Sequence, residues 1–296
     1  MSDTGRGTAV VYVATRSRYL DEAWRSARSV KRHMDVDIHL FTSLKLRRDA
    51  RRGPFDRVIG FDDHVQGFAD SILDDTHLVA DKILFLDSDT FVASSLSDVF
   101  DELDHTDLVC CWDPTRTGTA PHTHEHDVPE TWPQVNTGVL GLRDCPDIRY
   151  LLDRWRVHYE RQREHYVAGL NQPAFRQAVH EVKPDMHVLP AEYNWRLGTN
   201  ANQINYAAGP VKIIHGRSTL FDLDELADLV NETEQPRIVS IKDGRPVIST
   251  NDDVTASQRA LRITDRSAWK LYKDGLSGLI RAGGQLVRES IGGVRG

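Results

Sequence analysis

The chain opens with a β-α-β unit, and that unit narrows the folds available to it more than any other feature. Thr8–Ala14 (TAVVYVA) is a short apolar run rich in β-branched residues. Leu20, Ala23, Trp24, Ala27, Val30 and Met34 follow at helical spacing, and Val36–Thr42 has the character of a second strand. Further strands are expected at Arg57–Phe61, Lys82–Leu86, Asp107–Trp112 and Val135–Leu142, with helices at Ile148–Tyr166 and Asn171–His180. Such alternation predicts an α/β fold: an open, mostly parallel sheet with helices on both faces and ligands gathered at the carboxyl ends of the strands. With 296 residues, 40% of them hydrophobic, the chain can bury one large core. We divide it into a catalytic domain over 1–230 and an extension over 231–296, the latter a β hairpin around Lys242-Asp243-Gly244 followed by a basic amphipathic segment. No internal repeat is present.

Bulk chemistry removes several classes of function. A net charge of -7 argues against a nucleic-acid partner, which calls for a basic surplus to meet phosphates. No stretch approaches the ~20 apolar residues of a membrane helix. The leading MSDTGRGTAVVYVAT lacks the basic start and apolar run of a secretory signal, so the expected location is cytoplasmic. Cys110, Cys111 and Cys145 form neither a disulfide framework nor a CxxC knuckle and are expected to be small buried apolar residues.

ILFLDSDTFV (Ile83–Val92) places Asp87 and Asp89 two residues apart where an apolar strand ends. In an extended chain residues i and i+2 point to one side, so both carboxylates can face one divalent cation. Hard oxygen ligands suit Mg²⁺ or Mn²⁺, which keep coordination positions for phosphates. The same D-x-D pattern at Asp35/Asp37 and Asp222/Asp224 lacks the preceding apolar run; the first precedes its strand and the second opens a helix. Turn chemistry at Asp87/Asp89 is the competing explanation.

Taken in order, ATRSRY around Thr15, Arg16 and Tyr19, ILFLDSDTFV, VNTGVLGLR (Val135–Arg143), LNQPAF (Leu170–Phe175), LPAEYNWR (Leu189–Arg196) and KIIHGR (Lys212–Arg217) resemble the nucleotide-sugar glycosyltransferases of the GT-A fold. The likeness is greatest to the retaining family of glycogenin and the lipopolysaccharide galactosyltransferases. That resemblance implies a metal-dependent hexosyltransferase using a nucleotide-diphosphate sugar, with UDP the expected nucleotide. It implies that Thr15, Arg16 and Tyr19 hold the base, that His215 joins Asp87 and Asp89 as third metal ligand, and that Asn136, Thr137 and Gly138 lie under the sugar. Ser88, Lys82 and Arg217 complete the expected donor site. An imidazole beside two carboxylates tilts the choice of ion towards Mn²⁺ over Mg²⁺.

Departures from the family pattern matter as well. Asn171-Gln172 stands where relatives have Asp-Gln, leaving two neutral carbonyls near the anomeric carbon, so front-face departure with retention is favoured over a covalent double displacement. The family's Lys-Pro-Trp after the histidine is missing, and Arg217 is the substitute charge. DSILDDTHL carries acids where relatives place a base, and Lys82 is the nearest replacement. Asp113 is the one candidate base for an inverting alternative. Asp113–Pro133, with His122, His124 and His126, is expected as a long polar loop, its H-x-H run solvated rather than metal-bound. The rival functions are a sugar-1-phosphate nucleotidyltransferase, whose glycine-rich basic loop is absent after the first strand, and a non-catalytic nucleotide-sugar-binding module.

The acceptor is expected to be a saccharide or a lipid-linked glycan, and homo-oligomerisation is left open. In 267–296, Trp269, Tyr272, Leu276, Leu279 and Ile280 alternate with Lys270, Lys273, Arg281 and Arg288. This pattern suits either docking on the catalytic domain or peripheral contact with an anionic membrane face.

Overall fold

The strands expected to lie in a two-sided α/β sheet are buried on both faces. In β1 (Thr8–Ala14), Val10, Val11 and Tyr12 have no exposure, and in β4 (Lys82–Leu86) neither do Ile83, Leu84 and Leu86. The protein was analysed as a computed structural model that describes residues 7–61, 72–113, 128–129, 131–165, 170–197, 204–217, 222–242 and 245–250. His122, His124, His126, most of the Asp113–Pro133 segment and the basic extension from 251 onward lie outside these residues.

Helix α1 (Ser17–His33) buries Leu20, Ala23, Ser26, Ala27, Ser29 and Val30 and ends in Lys31, Arg32 and His33, of which the cations Lys31 and Arg32 suit the negative end of a helix dipole. Met34, expected in that helix, is its extended C-terminal cap. Next come β2 (Asp37–Ser43), a single turn α2 (Arg47–Ala50), β3 (Arg57–Phe61), β4, a short β5 (Thr90–Val92) and α3 (Ser97–Glu102). Then follow β6 (Leu108–Trp112), β7 (Val135–Arg143), α4 (Pro146–His165), α5 (Asn171–Val182), β8 (Met186–Leu189), β9 (Trp195–Arg196), β10 (Ile204–Ala207), β11 (Ile213–His215), α6 (Leu223–Val230), β12 (Arg237–Lys242) and β13 (Arg245–Thr250). Asp222 caps α6 by accepting from the backbone of Asp224 and Glu225, so that D-x-D copy is helix-start chemistry.

Seven strands form the main sheet in the order β3-β2-β1-β4-β7-β6-β8. All neighbours are parallel except β7, which runs antiparallel to both β4 and β6, so the sheet is mixed but mostly parallel. One core, built on α1 and α3, covers one face; the other, built on α4 and α5 around Trp155 and Phe175, covers the opposite face. Trp155 is fully buried, meets Phe175 edge to face at 4.7 Å, and donates its indole N–H to the Asn171 carbonyl at 3.0 Å. That contact fixes the start of α5 against the sheet, and truncating such a side chain costs about 3–5 kcal/mol.

Among the described residues there are two further small sheets, β5-β11-β9 and β10-β12-β13. The expected hairpin strands β12 and β13 are therefore an extension of β10, and residues through Ile248 form one compact unit. A second unit spans Ser249–Gly296, of which only the end of β13 is among the described residues. No helix among the described residues is long and apolar enough to cross a membrane. All three cysteines are free, with Cys110 and Cys111 buried in the sheet.

Candidate metal and donor site

Strand order reverses between β1 and β4, because β2 and β3 extend from one side of β1 and β4 from the other. Ligands of open α/β sheets bind at such switch points, beyond the carboxyl ends of the strands. Asp87 immediately follows β4 there. Its N–H continues the ladder by donating to the Gly138 carbonyl at 2.8 Å, and its own carbonyl accepts from the N–H and Oγ1 of Thr90 at 3.2 and 2.8 Å. The resulting tight turn brings Asp89 to the mouth of the site. Beneath it runs a buried hydroxyl chain: since the Thr90 proton goes to Asp87, Ser26 donates to Thr90 and Tyr12 to Ser26, each at 2.8 Å. Burial pushes the Tyr12 phenol well above its ordinary pKa, so it remains a donor.

His215 ends β11, which pairs antiparallel with β5 in the register His215↔Thr90. That pairing carries the imidazole to the carboxylates, with Nε2 3.7 Å from Asp87 Oδ2 and 3.5 Å from Asp89 Oδ1. Ligand atoms of Asp87, Asp89 and His215 all lie within 4.8 Å of one another, a set that can hold one metal ion. Asn194 Oδ1 stands 2.7 Å from His215 Nδ1; a carbonyl oxygen only accepts, so Nδ1 keeps a proton, and Nε2, 3.5 Å from Asp89 Oδ1, donates to that carboxylate when protonated and offers its lone pair to a metal when not. A hard-oxygen pair completed by a neutral imidazole with a fixed tautomer fits Mn²⁺ or Mg²⁺. Space is reserved as well: a Cβ on Gly138 would lie 2.4 Å from Asp87 Oδ2 and 2.5 Å from His215 Cε1.

Electrostatics separates the two carboxylates. Burial raises Asp87 to about 6, with Asp89 adding to the push and His215 opposing it; its side chain retains 36% exposure, so it is enclosed by protein yet open to the cleft. Asp89 feels the same burial, but the hydrogen bond and charge of His215 and the charge of Arg217 bring it down to about 2.

The positive side of the site is more elaborate than the sequence suggested. Arg217 Nη1 is 3.6 Å from Asp89 Oδ2, while its Nε and Nη2 donate to the two oxygens of Glu22 at 2.8 and 3.2 Å. Its guanidinium lies 5.6 Å above the Tyr19 ring. Ser88 Oγ donates to Glu22 Oε2 at 3.2 Å, so Tyr19, Glu22, Ser88, Asp89 and Arg217 form one cluster. Arg196 Nη1 stands 3.3 Å from both ring nitrogens of His215. Glu22, Asn194 and Arg196 are site residues to which sequence reasoning gave no role. The last two lie in LPAEYNWR, whose charged and amide residues between apolar ones were the available signal.

Thr15 and Arg16 lie at the carboxyl end of β1, with Arg16 as the exposed N-cap of α1. Lys82 is not brought to the site. It begins β4 at the opposite end of the strand from Asp87, about 16 Å away at strand rise. There it pairs with Asp104 at 2.6 Å and donates to the Phe100 carbonyl, because the basic position it occupies faces the acidic end of α3.

A second group flanks the metal pair. Cys110 of β6 pairs with Leu140 of β7, but Cys111 pairs with Asn136, so Thr137, Gly138 and Val139 bulge out of the β6 ladder while Val139 still pairs with Leu86 of β4. Bulges of this kind re-aim side chains beside active sites. Asn136 Oδ1 accepts the Gly138 N–H at 2.9 Å and Asn136 Nδ2 reaches Gln172 Oε1 at 3.4 Å; Thr137 Oγ1 donates to Asn171 Oδ1 at 3.2 Å. Gln172 Nε2 in turn donates to Asp113 Oδ2. Asn136, Thr137, Gly138, Asn171 and Gln172 are thus assembled beside the Asp87–Asp89–His215 group.

No protein-family model matches the chain, and no curated protein sequence does. Solved structures do. An active-site mutant of LgtC is 18% identical over 76% of this chain and 94% of its own, with a TM-score of 0.50. The galactosyltransferase LgtC in complex with donor and acceptor sugar analogs is 16% identical over the same shares, also at 0.50. The apo-form glycosyltransferase GlyE of Streptococcus pneumoniae is 18% identical over 77% of this chain, which spans 61% of GlyE, again at 0.50. The architecture expected from the sequence is the one observed: the chain has the GT-A fold.

Proposed function

We propose that the protein is a metal-dependent glycosyltransferase that moves a hexose from a UDP-sugar to a saccharide or lipid-linked acceptor with retention of anomeric configuration. The observation that carries this reading is the convergence of Asp87, Asp89 and His215 at the switch point of a GT-A sheet, around a space that only a glycine at 138 leaves open. A Mn²⁺ or Mg²⁺ ion held by these three residues would supply Lewis-acid neutralisation of the departing diphosphate.

The chain's own groups do the rest. Arg217, anchored by Glu22 and supported by Tyr19, directs Nη1 towards the metal pair, where a diphosphate would sit. Tyr19, a flat ring at the start of α1, is the residue on which the base would stack. Asn136 and Thr137 bring amide and hydroxyl groups to the sugar. As the bond from C1 to the diphosphate oxygen breaks, its electron pair stays with the diphosphate and positive charge grows on the sugar. The amide carbonyls at the start of α5 stabilise that charge. The acceptor oxygen then bonds to C1 from the same face and its proton passes to the departing diphosphate, which balances the step.

The test is calorimetric titration with UDP, with and without Mn²⁺, on the parent chain and on Asp89→Ala. Metal-dependent UDP binding that disappears in the variant, together with UDP release from a UDP-hexose, supports the proposal. Near-normal turnover in Asp89→Ala removes it, and pyrophosphate release from a nucleoside triphosphate plus a sugar phosphate replaces it with the nucleotidyltransferase reading.

A further inference from the structure

We infer that Asp113 is a positioning residue for sugar transfer, acting by fixing which end of the Gln172 amide faces the sugar. The inference rests on the transferase reading above.

Asp113 follows β6, and its N–H donates to the Gln134 carbonyl at 2.9 Å. Its residue surface is 9% exposed, so the carboxylate sits inside the protein beside the start of α5. A carboxylate only accepts; the hydrogen bond from Gln172 therefore requires the amide to offer its NH₂ to Asp113 and to point Oε1 the other way. On that side Asn136 Nδ2 meets Oε1 at 3.4 Å. Asn136 is itself fixed from its far end, because its Oδ1 accepts the Gly138 N–H.

The row Asp113–Gln172–Asn136–Gly138 is thus polarised from both ends. A flip of either amide would set two acceptors or two donors against each other. The row ends at the glycine whose missing Cβ makes room for Asp87 and His215. It consequently holds the Gln172 carbonyl on the metal-pair side of α5, where the sugar of a bound donor would lie. At 3.4 Å the Asn136 contact is the longest in the row, so Oε1 keeps electron density available to a cationic sugar carbon. Donation to a buried anion also polarises the amide and strengthens that carbonyl as an electrostatic partner. The second amide carbonyl, on Asn171, is already engaged by Thr137.

Two other roles for a buried acid here are acceptor binding and general-base catalysis with inversion, and one experiment separates all three. The chain and its Asp113→Asn and Asp113→Glu variants are assayed with UDP-galactose and UDP-glucose for hydrolysis without acceptor, for transfer, and for Mn²⁺-dependent UDP binding. Asparagine can present either a donor or an acceptor to Gln172 and carries no charge. The expectation is a fall of about tenfold to a hundredfold in kcat for both hydrolysis and transfer, as for groups acting through a neighbour. Donor KM and UDP affinity should be unchanged, and Asp113→Glu should recover part of the rate. Unaltered hydrolysis with a raised acceptor KM would overturn the inference in favour of acceptor binding, and an inverted product anomer in favour of a base. Loss of UDP binding in Asp113→Asn would overturn it too, by making the residue a determinant of fold or donor affinity. Failure of the parent chain to bind UDP or hydrolyse either donor would instead defeat the transferase reading itself.

Discussion

Replacing Gly138 with alanine tests the metal site through a single methyl group. The φ of Gly138 is not in the left-handed region, so alanine meets no backbone strain and the whole effect is one of space. The new Cβ would lie 2.4 Å from Asp87 Oδ2 and 2.5 Å from His215 Cε1, where ordinary contact begins near ~3.5 Å. One or both ligands must therefore retreat by about 1 Å, against a tolerance of about 0.2 Å in metal–ligand distances. We expect Mn²⁺-dependent UDP affinity to fall about a hundredfold, or about 2.8 kcal/mol at 1.4 kcal/mol per decade. Asp87 is open to the cleft and can swing aside, so the urea midpoint should report a loss of only about 1 kcal/mol, the low end for overpacking. Calorimetry with Mn²⁺ and UDP, paired with circular dichroism, makes the comparison. A Gly138→Ala chain that binds UDP with Mn²⁺ as tightly as its parent would refute the argument that this glycine is kept for the space it leaves.

Asn194→Ala removes the acceptor that fixes the His215 tautomer and should weaken Mn²⁺ affinity about tenfold or more without abolishing it, as read by metal titration; a loss as complete as that of Asp89→Ala would contradict an indirect role. In the short turn that precedes β4, the hydrogen bond shared with the His77 ring, with Thr76 assisting, holds the Asp74 carboxyl well below the usual carboxylate range despite the opposing effect of burial. The folded carboxyl then takes its proton at lower pH than the unfolded one, so its stabilisation is complete above about pH 4 and is lost as pH falls below that. The gap in urea midpoint between the parent and Asp74→Asn should accordingly be constant from pH 5 to 7 and close on acidification; a gap that widens in acid would refute this assignment.

The sequence carried the long strands because runs such as KILFL and TAVVYVA are apolar enough to be buried on both faces, and β3 and β4 fall at their expected bounds. It did not carry β5, β8, β9 or β10. These have two to four residues, and β8 is largely unburied, so no periodicity can accumulate over them. Asp87 and Asp89 could be singled out because a strand end and a D-x-D spacing are local signals, and His215 only through the resemblance of KIIHGR to the family's pattern. Glu22 could not, since its importance comes from a contact across 195 residues of chain, and Asn194 and Arg196 showed only as part of LPAEYNWR, their roles coming from contacts across 21 and 19 residues. Lys82 drew attention only by proximity in sequence, and strand direction places it at the far end from the metal pair.

The pairing of β11 with β5 acts as a ruler for the site. Asp89 precedes Thr90, and Thr90 lies opposite His215, so the gap from acid to imidazole is measured by one ladder and not by the 125 residues between them. Insertions and deletions between the end of β5 and the start of β11 leave the measurement intact provided the two strands still meet. A single residue lost within Ile213–His215 would turn the imidazole to the other side of its sheet. The site's capacity for change is therefore lopsided: the connection from β5 to β11 can vary in length, while the three residues of β11 cannot.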